Sequence, residues 1–145
     1  HYRSLTHALA APRYWDMGDD DREFRFNNYI NRYHTRHLDL MDLLALYNGR
    51  NYAPLDDLAK LAGFPGKLGM DGSQVWGAFQ RGEIQQIRNY CETDTANTYL
   101  IFLRFQLLRG AYDKSRYHRE LDLVRATLAN NEAAHWREFL AAWPD

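Results

Sequence analysis

Tyr90 and Asp94, in the run Arg88-Asn89-Tyr90-Cys91-Glu92-Thr93-Asp94, are the residues whose type and spacing best fit chemistry. Four residues apart on a helix, they share a face. A phenol one turn before a carboxylate fixes a water-orienting hydroxyl beside a metal ligand, and that combination suits nucleotidyl hydrolysis. Two metal ions about 3.5–4 Å apart, held mainly by carboxylates, generate hydroxide and stabilise the leaving oxygen in such a reaction. A single Asp cannot hold both ions, so partners for Asp94 are required. Asp39 and Asp42 are the other nominees, but Asp42 reads more simply as a first-turn helix residue favoured by the helix dipole.

The elements that must position this pair can be read from the pattern around them. Residues 83–108 read as one long helix, with a bend conceivable near Cys91, and the stretch 99–108 is interrupted only by Arg104 and Gln106. Such a helix is expected to be buried on nearly all sides. Gly110 is placed to cap its end, and two amphipathic helices follow, at 117–128 and 133–143, split by Asn130-Asn131. Upstream, Pro54 with Asp56 and Asp57 opens a helix that runs to about Ala62. Ser73 is placed to cap a short helix through Val75, Trp76 and Phe79. Asn48-Gly49 is a turn signal. The run His37-Leu38-Asp39-Leu40-Met41-Asp42 reads as a short buried strand near Leu38 leading into a helix. A first helix ends near Ala11-Pro12.

A basic, aromatic segment from Arg22 to His37 sets Phe24, Phe26, Tyr29 and Tyr33 among Arg22, Arg25, Arg32 and Arg36, with Asn27 and Asn28. Stacking rings beside phosphate-pairing arginines are what single-stranded nucleic acid requires, which nominates Arg25, Phe26, Asn27, Arg32 and Arg36. An extended segment covering a core would give the same alternation. The acidic loop from Asp16 to Asp21 lacks the ligand spacing of a calcium-binding loop and reads as a solvated turn. The six histidines form no zinc-type set: His34 and His37 lie in the basic segment, and His118 and His135 lie on surface-like faces.

At 145 residues, 46% hydrophobic and 14% aromatic, the chain fits a single folded domain spanning 1–145 and excludes intrinsic disorder. Its net charge of −1 offers no global attraction to nucleic acid, so phosphate must be met by a local patch or through metal. The single Cys91 forms no internal disulfide and reads as a buried residue in a reducing, cytoplasmic compartment. No run approaches the roughly 20 apolar residues of a membrane span. The chain opens on His1 in helical rhythm without a capping residue, as though cut from a longer sequence.

Tyr90-Cys91-Glu92-Thr93-Asp94 resembles the third motif, Tyr-x-x-x-Asp, of the DEDDy 3′-5′ exonucleases. The run at Leu38-Asp39 and then Pro54-Leu55-Asp56-Asp57-Leu58-Ala59-Lys60-Leu61-Ala62-Gly63 precede it in that family's order. With Phe64-Pro65-Gly66-Lys67-Leu68-Gly69-Met70 and the stretch from Tyr90 to Gly110, the chain is similar to the C-terminal two-thirds of the bacterial predicted exonucleases related to the exonuclease domain of family B DNA polymerases. The resemblance implies an α/β, ribonuclease H-like exonuclease fold in the parent, with this chain its mostly helical C-terminal portion. It implies a two-metal site for Mg²⁺ or Mn²⁺ whose first two acidic motifs lie upstream of His1, and a piece inactive alone. In this reading Asp94 is a metal ligand, Tyr90 orients or helps deprotonate the attacking water, and the substrate is a single-stranded 3′ end, DNA before RNA. The alternative is a non-catalytic helical module that binds nucleic acid or a protein, using the Arg22 to His37 segment and the C-terminal helices.

Overall fold

The computed structural model describes residues 38–144. The chain divides into two compact units, His1–Gly49 and Arg50–Asp145. Among the described residues there are helices and turns and no strand.

In the first unit the described part is a single short helix, α1 (Leu40–Leu44). The strand expected near Leu38 is not formed, and Leu38 is exposed rather than buried. The reason is local. Asp39 Oδ1 accepts from the Asp42 backbone N–H at 3.1 Å, a helix N-cap that satisfies a donor the helix would otherwise leave open. That cap converts the strand-like Leu38-Asp39-Leu40 alternation into a helix start. Asp42 sits in the first turn of α1, as its dipole preference requires. The turn expected at Asn48-Gly49 comes earlier, at Leu46 and Tyr47, which both have positive φ (53° and 58°).

The second unit is built around one helix. α2 (Leu55–Leu61), α3 (Val75–Gln80), α4 (Ile84–Leu108), α5 (Lys114–Ala129) and α6 (Ala134–Ala141) follow in order, and α4 packs against each of the other four. α4 runs unbroken past Cys91 for 25 residues. Its Leu100, Ile101 and Leu103 are buried at 0%, 5% and 0% exposure, each worth about 1.5–3 kcal/mol of apolar burial. α4 is nevertheless not buried on all sides. Tyr99 and Leu108 are exposed, as are Thr95 and Thr98, so part of the helix surface stays open. Cys91 is likewise exposed, correcting the expectation of a buried thiol.

The helix ends follow from their chemistry. Gly110 takes φ +74° just past α4 and donates to Leu107 O at 3.1 Å, the left-handed stop for which glycine carries no Cβ penalty. Asp113 Oδ1 accepts from Arg116 N at 2.6 Å to cap α5. Ser73 does not cap α3. Its N–H and hydroxyl both donate to Asp71 Oδ1, at 2.7 and 2.5 Å, so the serine stabilises the turn before the helix and Gln74 holds the cap position. Beneath α6, Phe64, Trp143, Phe139 and Trp136 form a chain of edge-to-face contacts with centroids 5.9–6.1 Å apart, the geometry ring quadrupoles favour. Phe64 belongs to the loop after α2, so this aromatic chain ties that loop into the core.

Candidate functional site

On α4 the spacing 4, 3, 4 places Tyr90, Asp94, Asn97 and Ile101 along one face. The two lower residues are buried and hold the helix in place. The two upper ones, Tyr90 and Asp94, are half-buried near its N-terminal half. The loop between α2 and α3 crosses this face, and three sets of contacts fix its path.

Asn97 makes the first. Its side chain is fully buried and holds the loop backbone at Gly66 from both sides. Oδ1 accepts from Gly66 N at 3.1 Å, and Nδ2 donates to Gly66 O at 2.7 Å and to Thr93 O at 3.1 Å. Gly66 itself has φ +74°, and a Cβ there would run into the Asp56 carboxylate, so the crossing requires glycine. The second set is at Asp56. Its Oδ1 accepts from Lys67 N at 2.7 Å, and Oδ2 pairs with Lys60 Nζ at 2.8 Å. The Lys60 and Lys67 hydrogen bonds hold the Asp56 carboxyl below the usual carboxylate range. Third, Arg104 donates to Ala62 O at 3.0 Å while its guanidinium lies over Phe64 and Tyr117.

The loop so held brings three groups to the Tyr90 and Asp94 pair. Lys67 Nζ lies 5.8 Å from the Tyr90 ring centroid and closes no salt bridge among the described residues. Gly72 approaches the phenol so closely that a Cβ there would stand 3.6 Å from Tyr90 Oη. Asp71, beside it, adds negative charge. The phenol is pushed up to about 12, chiefly by burial and next by the Asp94 carboxylate beside it, since both disfavour the phenolate. The Tyr90 hydroxyl lies within hydrogen-bonding reach of the Asp94 carboxylate. The Asp94 Oδ1 atom is nonetheless buried and closes no bond of its own among the described residues.

That orphaned oxygen is the most telling atom of the site. Burying an acceptor with no donor costs about 1–3 kcal/mol, more when it is charged, and such atoms call for an explanation in the chemistry around them. A divalent cation binds carboxylate oxygens and would satisfy it, so Asp94 fits one ligand position. Among the described residues no group of three His, Cys, Asp or Glu stands close enough to hold a metal. Asp39 is spent on its cap.

The opposite side of α4 carries different features. A mainly apolar groove of about 550 Å³ runs between α4 and α5 and is lined among others by Cys91, Tyr99, Leu123 and Trp136. Asp94, Lys67, Asp71 and Gly72 do not line it. At its edge Glu92 pairs with Arg88 at 2.7 Å and His135 at 2.8 Å, and these, Arg88 first, lower the Glu92 carboxyl. His135 is largely covered, at 13% side-chain exposure, not on a surface-like face as its sequence setting suggests. Arg25, Phe26, Asn27, Arg32 and Arg36, with His34 and His37, lie outside the described residues.

Sequence reasoning singled out Tyr90 and Asp94 and gave no role to Asn97, Lys67 or Gly72. The signal for Asn97 was present: a polar residue three positions after Asp94, in phase with the apolar Ile101, must be buried and must find partners. Among the described residues no helix is long and apolar enough to cross a membrane. Residues 1–143 match the family described as predicted 3′-5′ exonuclease related to the exonuclease domain of PolB. No curated protein and no solved structure matches the chain.

Proposed function

Since the chain belongs to the family of predicted 3′-5′ exonucleases related to the exonuclease domain of PolB, we propose that Tyr90 and Asp94 are its contribution to a metal-dependent, DEDDy-type hydrolytic centre. The substrate of this reading is the 3′ end of single-stranded nucleic acid, DNA in preference to RNA. In hydrolysis the water oxygen bonds to phosphorus as the bond to the 3′-oxygen of the preceding nucleotide breaks. The terminal residue leaves as a 5′-monophosphate, and the shortened strand regains a 3′-hydroxyl.

One observation carries this reading: a buried carboxylate oxygen without a donor among the described residues, on the same helix face as a phenol. Asp94 would hold Mg²⁺ or Mn²⁺ through that oxygen, with further carboxylates from outside the described residues. Bound there, the metal lowers the pKa of water and offsets charge on the leaving oxygen. Tyr90 donates its phenolic hydrogen and so orients the water for in-line attack. Burial and the neighbouring Asp94 carboxylate push the phenol up to about 12, which supports its role as a donor to that water. Lys67, beside the Tyr90 ring and in no salt bridge among the described residues, would offset the charge of the scissile phosphate. The exposed thiol of Cys91, the only cysteine, suits a reducing, cytoplasmic setting.

Asp94→Asn in the protein that carries this domain, assayed on a 5′-labelled oligonucleotide in Mg²⁺, should abolish release of 3′-terminal nucleotides with the far-ultraviolet circular dichroism unchanged. Turnover within a factor of ten of the parent would remove Asp94 from the site and leave the unit a binding module.

A further inference from the structure

α3 has six residues and buries little. Ala78 is its buried contact with the core, while the face bearing Trp76 and Phe79, three residues apart, is open, at 67% and 55% exposure. The two rings are stacked, with centroids 5.7 Å apart and planes inclined by 24°. Buried ring pairs in the same unit behave otherwise: Phe64–Trp143, Trp136–Phe139 and Phe139–Trp143 cross at 83–86°. Near-parallel rings at the surface present broad π-faces to solvent, and the fold makes no other use of them among the described residues.

The position of this pair follows from the chain. Gly72 lies against the Tyr90 hydroxyl, and the turn from Asp71 to Gln74, closed by Gln74 N to Asp71 O at 3.1 Å, leads directly into α3. Trp76 is four positions after Gly72, so their Cα atoms lie within about 14 Å, the rise of about four stacked nucleotides at 3.4 Å each. A strand whose 3′ end is held at Tyr90 can therefore reach the rings without leaving the surface. Lys67, beside Tyr90, supplies a cation for the phosphates between.

We propose that the stacked Trp76 and Phe79 form a base-stacking platform that holds the unpaired nucleobases just upstream of the 3′ end. The proposal rests on the exonuclease reading for its ligand. Flat aromatic faces with a nearby cation suit single-stranded bases of any sequence, because every base has a π-face. Trp and Phe also lose little conformational freedom on binding, with only two side-chain torsions each.

The test is fluorescence anisotropy of the 145-residue chain with a 5′-labelled oligo-deoxythymidine of about 12 nucleotides, within the range of known single-strand sites, in EDTA so that no hydrolysis occurs. Trp76→Ala should weaken binding by about 5- to 150-fold, the cost of losing one stacked base. Trp76→Phe, which keeps a ring, should restore most of it. A strand of equal length with abasic sites in place of its bases should bind the parent chain as weakly as the intact strand binds Trp76→Ala. Parent-like affinity in both Trp76→Ala and Phe79→Ala, equal affinity for the abasic strand, or no binding by the parent chain would each overturn the platform; a surface that serves a protein partner gives the first of these. The catalytic reading is judged separately by Asp94→Asn hydrolysis in Mg²⁺. If hydrolysis needs Asp94 while both Trp76→Ala and Phe79→Ala bind normally, the platform alone falls. If Asp94→Asn still hydrolyses while Trp76→Ala binds weakly, the catalytic assignment alone falls.

Discussion

Asn97→Ala removes the side chain that fastens the loop to α4 without touching Tyr90, Asp94 or Lys67. Asn97 is fully buried and is the hydrogen-bond partner of both the N–H and the C=O of Gly66, at 3.1 and 2.7 Å across 31 residues of sequence. Truncation leaves both backbone groups inside the protein without a partner. At about 1–3 kcal/mol for each buried unsatisfied group, the cost is about 2–6 kcal/mol. At roughly 4 °C per kcal/mol for a chain of this size, Tm should fall by about 8–24 °C in a circular dichroism melt. Thr98→Ala is the matched control. Thr98 is exposed on the same helix and its hydroxyl donates to the Asp94 carbonyl one turn back, so the Tm of Thr98→Ala should move by about 2 °C or less. Hydrogen exchange adds a local readout, since the Gly66 amide should lose its protection in Asn97→Ala before amides of the α4 core do. A Tm for Asn97→Ala within about 2 °C of the parent, with Gly66 still protected, would refute the claim that this amide fixes the loop.

Tyr90→Phe keeps the ring that packs under Lys67 and removes only the hydroxyl; kcat should fall about 10- to 1000-fold, against a usual contribution of roughly 10²–10⁴ for a positioned acid, base or orienting group. An unchanged kcat with a lowered Tm would reassign the hydroxyl to packing. Acid titration tests Asp56, whose carboxyl lies below its ordinary 3.8 because of Lys60 first and the Lys67 backbone next. The folded chain binds fewer protons than the unfolded one in that window, so the stability Asp56 contributes is complete above about 3.8 and is lost as pH falls through the lower folded value. Asp56→Asn should flatten the acid limb of a stability-against-pH curve measured by urea unfolding, and an unaltered limb would show that the carboxylate does not hold the loop.

What could be read from the sequence, and what could not, follows the range of the interactions. Tyr90 and Asp94 share a face because four residues on a helix always do, and the burial of Leu100, Ile101 and Leu103 follows from the density of apolar residues around them. Gly110 ends α4 because a left-handed residue there has no cheaper occupant. Asp39 is a nearer miss. Alternating Leu38, Asp39 and Leu40 satisfies a strand pattern, yet one carboxylate three residues before a free amide outweighs it, and strand and cap readings differ there by a single hydrogen bond. Cys91 was legible in principle, since one step of 100° from Tyr90 turns it off the buried face. Asn97 and His135 belong to another category. Their partners, Gly66 and Glu92, stand 31 and 43 residues away, and a side-chain bond of that span leaves no period in the sequence. The chemically distinctive atoms of the site are therefore announced locally, by residue type and helical phase. The loop that borders Tyr90 and Asp94 is held by long-range bonds such as those of Asn97 to Gly66, and for that reason it emerges only when the chain is folded.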